Sequence, residues 1–309
     1  MHPVTIVGIT LGVFILVVVG CLGYAMVVAS RGFRLRRVEV PVLAEGSEPI
    51  TILHFSDLHL LPSQAKKIEW VRGLAAHTPD FIISTGDNLS SPDGIPTLER
   101  ALEPLGGIPG VFVFGSNDFF GPRPINPFSY LKGPSSPHKI DSQKRLPRIP
   151  TEDIAQLFES LGWKNGEDTS LNFTLRGTTV EVRGCKDAHM EEDRYEAVMG
   201  ERDADLLLGV THSPYVRVLD LMVADGADLM FAGHTHGGQV CFPGGHALVT
   251  NCDLPRSQAQ GLSQYSRGDS SPWLHVSAGL GTSPKAPYRF FCRPEATLLT
   301  LVPCDNPTS

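Results

Sequence analysis

Ile50-Thr51-Ile52-Leu53-His54-Phe55-Ser56-Asp57-Leu58-His59 is a β-rich apolar run that ends on a carboxylate and an imidazole one residue apart, as a buried strand emptying into a polar loop should. The same design recurs down the chain. Phe81-Ile82-Ile83-Ser84 runs into Gly86-Asp87-Asn88, and Val111-Phe112-Val113-Phe114 into Gly115-Ser116-Asn117-Asp118. Leu206-Leu207-Leu208-Gly209 is followed by His212, and Leu229-Met230-Phe231-Ala232 by Gly233-His234-Thr235-His236-Gly237-Gly238. Residues 65–76, 98–102, 152–161 and 216–224 carry helical spacing, and 171–175 with 179–183 reads as a hairpin. Strands near 274–277 and 298–301 close the chain. Strands alternating with helices, with polar residues gathered where strands end, predict a layered α/β fold whose site lies outside the strands' carboxyl ends.

Composition bounds the rest. The 309 residues are 41% hydrophobic and 19% charged with a net charge of -7, the profile of one large globular domain. No Lys/Arg-rich stripe that could neutralise a run of phosphates is present, so no nucleic acid partner is indicated. The six cysteines, Cys21, Cys185, Cys241, Cys252, Cys292 and Cys304, include no C-x-x-C pair and read as buried small hydrophobes in a reducing compartment. Residues 121–150 hold seven prolines and read as a surface excursion or lid.

Residues 4–29 carry no charged side chain, and as a helix they would reach about 39 Å, enough for a hydrocarbon core of about 30 Å. A signal peptide would carry its basic residues ahead of the apolar stretch, but here only His2 precedes it and Arg31, Arg34, Arg36 and Arg37 follow. A single-pass anchor over residues 1–37, with the domain of 38–309 on the cytoplasmic side of the cell membrane, is the expectation; a cleaved leader, or a domain on the external face, is the alternative.

Imidazole, carboxylate and amide donors without thiolates suit borderline divalent ions, Mn²⁺, Fe²⁺ or Zn²⁺. In extended backbone Asp57 and His59, or His234 and His236, would point the same way and reach one ion while the residue between turns aside. Glycines ahead of Asp87, Asn117 and His234 allow sharp turns and close backbone approach. Two ions roughly 3.5–4 Å apart would clamp a phosphoryl group and acidify a water between them.

The ordered elements D-x-H, G-D, G-N-H-[DE], H and G-H-x-H, followed from Asp57 to His236 with the third only loosely kept, resemble the calcineurin-like metallophosphoesterases. The run from Gly233 to Gln239, the N-terminal apolar segment and Arg289-Phe290-Phe291-Cys292-Arg293-Pro294-Glu295 look like the bacterial phosphodiesterase branch related to UDP-2,3-diacylglucosamine pyrophosphatases. The resemblance implies a sandwich of two mixed β-sheets flanked by helices. It also implies two divalent metal ions, the first held by Asp57, His59 and His236, the second by Asn117, His212 and His234, with Asp87 bridging. Ser116 and Asp118 stand where the family's common form has a Gly and a proton-donating His. Either the leaving group departs without a proton, or an acid comes from elsewhere, from the Pro-rich excursion or from Asp118 with a raised pKa. Arg289 is a candidate for bidentate contact with a substrate phosphate, beside a structural reading, and Asp187 lines the site or makes a turn. His54, His77, His138, His189, His246 and His275 lack partners at ligand spacing and read as structural. The expected substrate is a phosphodiester or pyrophosphate, lipid-linked or an envelope precursor given the anchor. The rivals are a phosphomonoesterase or protein phosphatase, and a metal-binding interaction module without turnover.

Overall fold

The computed structural model describes residues 3–122 and 148–304. The Pro-rich excursion at 121–150 therefore falls almost wholly outside the described residues, as does His138.

Two six-stranded sheets form the domain. The first is built from β1 (Arg34–Leu43), β2 (Ile50–Phe55), β3 (Phe81–Ser84), β4 (Gly110–Phe112), β5 (Trp163–Asn165) and β14 (Glu295–Pro303) in the order β1-β14-β2-β3-β4-β5. Strands β2 to β5 run parallel, and β14 is antiparallel to β2. The second holds β6 (Thr169–Leu175), β7 (Thr178–Gly184), β8 (Leu206–Val210), β9 (Leu229–Ala232), β12 (Gly261–Gln264) and β13 (Trp273–Val276) in the order β12-β13-β9-β8-β7-β6, parallel from β7 to β13 with an antiparallel strand at each edge. A two-stranded ribbon, β10 (Cys241–Phe242) with β11 (His246–Ala247), follows the His236 turn.

Alternation along the strands fixes which side chains go where. Ile50, Ile52, Phe81, Ile83 and Val111 face Val180, Val182, Leu208, Val210 and Phe231 across the gap between the sheets. Leu53, Phe55, Ile82 and Phe112 point outward to helices α2 (Ala65–Arg72), α3 (Ile95–Leu102) and α4 (Thr151–Ser160). Helix α5 (Val216–Ala224) covers the second sheet through Val218, Leu219 and Met222. The result is the expected layered α/β sandwich, helices outside and two mixed sheets within.

Strand β1 begins at Arg34, inside the basic flank that reads from sequence as a topology signal, and pairs with β14 in parallel. Arg34 and Arg36 both ion-pair with the fully buried Glu295, and Arg37 reaches His77 at 3.0 Å. The chain is helical from Pro3 (α1, Pro3–Gly23) through a π turn and a 3-10 turn to Arg31. Among the described residues this is the one helix long and apolar enough to cross a membrane, and apart from Ala25 and Ala29 it is unburied.

All six cysteines are free; Cys21 and Cys304 are exposed, the other four buried. Two histidines assigned no partner from sequence pair with each other between the sheets. His54 Nδ1 lies 2.7 Å from His275 Nδ1, and His54 Nε2 lies 3.0 Å from Thr85 Oγ1. Burial, reinforced by His275, holds His54 well below its ordinary range, and burial draws His275 down to about 4. Both are neutral in the folded protein and titrate near 6.5 when unfolded. The pair's contribution to stability is therefore complete above pH 6.5 and is lost as pH falls from 6.5 toward 4, by about 3 kcal/mol for His275 alone. Between pH 7 and 4.5 the melting temperature of metal-free His275→Gln should fall less than that of the parent; an equal change in both would count against the pair.

Candidate metal centre

Each candidate ligand sits just past a strand end. Asp57 and His59 follow β2, Asp87 follows β3, His212 follows β8, and His234 and His236 follow β9. The convergence is as expected, but the backbone is not extended. Asp57, His59, Asp87, His234 and His236 all have positive φ, between 42° and 67°, where non-glycine residues are uncommon. Each loop turns sharply off its strand, and this turning aims the side chains inward. Strain of order 1–3 kcal/mol per residue persists only where the surroundings over-determine it. At Gly86, φ is 87°, and a Cβ there would strike the backbone of Phe114 and Gly115. A Cβ on Gly115 would meet Asp87 Oδ1 and the His212 ring. These two glycines let the second and third loops close on each other.

Asp57, His59, Asp87 and His236 offer ligand atoms that all lie within 4.8 Å of one another. Asp87 Oδ2 is 3.5 Å from His59 Nε2 and 3.7 Å from His212 Nε2, so one carboxylate oxygen faces imidazoles from two directions. His236 Nε2 is 3.5 Å from Asp57 Oδ1, and the His59 and His236 rings stack at 5.1 Å. The His212 and His234 rings meet edge-on at 5.3 Å. Asn117 closes the group, its backbone N–H donating to Asp87 Oδ1 at 2.9 Å and its side-chain nitrogen to Oδ2 at 2.7 Å; holding a cation would take the oxygen end of that amide, reached by turning it over. The ligand atoms of Asp57, His59, Asp87 and His236 thus form one cluster, His212 and Asn117 adjoin it through Asp87, and His234 adjoins it through its ring contact with His212.

A cation fits this donor set. Asp57 Oδ1, His59 Nε2 and His212 Nε2 are buried with no hydrogen-bond partner, a costly condition for polar atoms unless something else satisfies them. The opposite nitrogens are fixed by the chain. Nδ1 of His212 is 2.5 Å from the Thr85 carbonyl oxygen and Nδ1 of His236 is 3.0 Å from that of Gly281; donating there turns each Nε2 inward, where a cation would displace any proton it carries. Nε2 of His234 is held by the Asn251 carbonyl at 3.2 Å.

The electrostatics agree. Burial pushes the Asp57 and Asp87 carboxyls up, while burial followed by His236 holds His59 low, and burial followed by Arg289 pulls His236 to about 3. Burial opposes a charge on His212, but Asp87, Asp187 and Asp57 outweigh it and lift the ring to about 9. The pocket therefore draws positive charge to the place where its carboxylates meet.

Two residues offered by sequence for chemistry serve the loops. Asp118 is fully buried, accepts from the backbone N–H groups of Asp87 (2.7 Å), Asn88 (2.7 Å) and Gly115 (3.0 Å), and also faces Asn88 Nδ2 at 3.2 Å. Burial and the neighbouring Asp87 raise it to about 7, as expected of a proton donor, yet both its oxygens are turned to the backbone. Arg289, read from sequence as either a phosphate contact or a structural arginine, is fully buried. Its Nη2 donates to the carbonyls of Ala278, Gly279 and Gly281 and its Nη1 to that of His236, so its fork braces the turn that carries His236.

Sequence reading undervalued Asp187. It accepts from Ser213 Oγ (2.5 Å), from the N–H of Ser116 (3.1 Å) and from the N–H of His189 (2.9 Å), tying the third loop to the segment after His212. The His189 ring lies 4.6 Å from that of His234. Nothing local marks these partners, which come from four separate loops.

A family model described as calcineurin-like phosphoesterase matches residues 50–238, more than half of the chain. The chain is similar to the uncharacterized protein YpbG of Bacillus subtilis (strain 168), 26% identical over 282 residues and covering 89% of this chain and 90% of the relative. It is also similar to the uncharacterized metallophosphoesterase YkuE of the same organism, 25% identical over 283 residues, 85% of this chain and 83% of the relative. Among solved structures, TT1561 of Thermus thermophilus aligns with a TM-score of 0.40 at 15% identity, covering 75% of this chain and 91% of that one. The strand-end ligand geometry and the match over residues 50–238 agree: this chain belongs to the calcineurin-like phosphoesterase family.

Proposed function

We propose that the protein is a membrane-anchored, dinuclear metal-dependent hydrolase of phosphodiester or pyrophosphate bonds, acting at the cytoplasmic membrane face on a lipid-linked or envelope-precursor substrate. The observation that carries the dinuclear reading is the position of Asp87, whose Oδ2 faces both His59 and His212. Asp57, His59 and His236 would hold one divalent ion, Mn²⁺, Fe²⁺ or Zn²⁺, and Asn117, His212 and His234 the other, with Asp87 shared. The ions would supply a water acidic enough to ionise near neutral pH and would neutralise charge on the phosphoryl oxygens. The chain's own part is to hold donors still. The Thr85 and Gly281 carbonyls orient two imidazoles, Asp118 and Asp187 hold the loops, and Arg289 braces the His236 turn.

The occupied lone pairs of Asp118 favour a leaving group stable as an anion, as the phosphate released from a pyrophosphate bond or an acidic phenol is; an alkyl diester would take its proton from water. Full chain in detergent, loaded with Mn²⁺, is expected to turn over bis-p-nitrophenyl phosphate at least tenfold faster than p-nitrophenyl phosphate. Faster monoester turnover would move the reading to a phosphomonoesterase, and no metal-dependent turnover on either would leave a binding module. Topology has its own measurement: a reporter fused after Ser309 is expected to behave as cytoplasmic, and an external signal would reverse the orientation.

A further inference from the structure

The end of the N-terminal helix is fastened to the domain. The Arg289 N–H donates to the Ala25 carbonyl at 3.1 Å, Arg293 Nε donates to the Gly32 carbonyl at 2.8 Å, and the Tyr24 ring meets Phe290 edge-on at 6.2 Å. Beside this junction lies a cavity of about 440 Å³, a size typical of small-molecule sites. Met26, Arg31 and Phe33 wall it on the helix side, and Lys66 and Lys67 at the start of α2 wall it on the other. Gly281 also lines it; that residue accepts from His236 Nδ1 and donates its N–H to the Asp57 carbonyl. The cavity thus adjoins the back of the metal centre.

Its charge is unbalanced. Lys67 is 5% exposed and its Nζ donates to the Leu58 carbonyl at 2.8 Å, but among the described residues no carboxylate pairs with Lys67, Lys66 or Arg31. Three basic side chains lining one cavity without a counter-charge repel one another, and an anion there would offset this. The apolar side has its own meaning. Met26 and Phe33 would gain nothing from an inorganic anion, and Phe291, 51% exposed, packs on Phe290 at the same junction, placing exposed aromatic surface where the helix would leave a bilayer.

We propose that this cavity seats the phosphate-bearing head of an anionic lipid, with Arg31, Lys66 and Lys67 around the phosphate and the acyl chains passing beside Met26 and Phe33 into the bilayer crossed by the helix. Binding of the lipid stands on the cavity, which none of the seven candidate metal ligands lines; that the seat lies beside a hydrolytic centre rests on the phosphoesterase reading above.

The test uses full chain in lauryl maltoside micelles, stripped of metal so that binding is read without turnover, and titrated calorimetrically with dihexanoyl phosphatidic acid, dihexanoyl phosphatidylcholine and glycerol 3-phosphate. Saturable binding of the phosphatidic acid is expected, with the other two at least tenfold weaker. Arg31→Glu with Lys66→Glu, both on exposed side chains, should raise its Kd at least tenfold, and Lys66→Glu alone, away from the helix, at least threefold. The melting temperatures of the variants should stay within about 2 °C of the parent, because neither side chain is buried. Equal affinity in parent and variants, or no saturable binding, overturns the proposal; glycerol 3-phosphate binding as tightly as the lipid overturns it in favour of a seat for free phosphate esters. Charge-dependent lipid binding by a chain that hydrolyses neither nitrophenyl ester would support the cavity and overturn the phosphoesterase reading.

Discussion

Asp87→Ala is expected to cut Mn²⁺-dependent hydrolysis of bis-p-nitrophenyl phosphate by on the order of 10³-fold, the equivalent of about 4 kcal/mol of transition-state stabilisation. On the proposed reading Asp87 would serve both ions, so its loss should leave neither correctly held. The fold should scarcely notice. Burial raises the Asp87 carboxyl, and Asp57 raises it further, so its charge is a burden on the metal-free protein, and losing the bonds from Asn117 offsets the relief. The metal-free melting temperature should therefore move by no more than about 4 °C, while the rise that Mn²⁺ gives the parent by binding only the folded state should vanish. A variant keeping a tenth of parental turnover would remove Asp87 from the shared position.

Asp118→Ala should behave in the opposite way. Three backbone N–H groups, of Asp87, Asn88 and Gly115, would lose their acceptor at a fully buried position. Each stranded donor costs about 1–3 kcal/mol, so a destabilisation of about 4 kcal/mol and a melting temperature lower by about 10 °C are expected. Asp118→Asn keeps the shape but sets an amide N–H₂ against backbone N–H, so it should fall between. In both variants Mn²⁺ affinity should drop, and the activity loss should be equal for nitrophenol and alkyl leaving groups and partly recovered by excess Mn²⁺. A general acid would give another pattern: an unchanged melting temperature with turnover lost only on the poor leaving group at saturating metal. That result would return Asp118 to the chemistry.

What was legible in the sequence were the elements whose signal is local. The strand Ile50–Phe55, the helix Val216–Ala224 and the strand Leu229–Ala232 show in periodicity because both ends are marked by turn residues or ligands. The meeting of Asp57, Asp87, Asn117, His212 and His236 was legible because repeated strand ends in a layered fold must share an edge. What was not legible depends on partners far along the chain. Arg34 reads as part of a basic flank until Glu295, 261 positions away, is beside it. The roles of Arg289 and Asp118 follow from backbone groups, carbonyls for one and N–H for the other, which carry no sequence signal. The left-handed backbone of five ligands was invisible for a related reason: aspartate tolerates it, but only surrounding packing can impose it.

Glu295 has a practical consequence for anyone who would cut the hydrophobic helix away. A soluble chain starting at residue 38 would also discard Arg34 and Arg36, stranding that carboxylate in the sheet, an error worth about 3–5 kcal/mol when one member of a buried pair is deleted. It would also remove Arg34 to Arg37, the part of β1 that pairs with Glu295 to Leu298 of β14. The boundary between the apolar helix and the folded domain therefore lies ahead of Arg34, and a poorly behaved truncation begun beyond it would report on a broken sheet edge before it reported on activity.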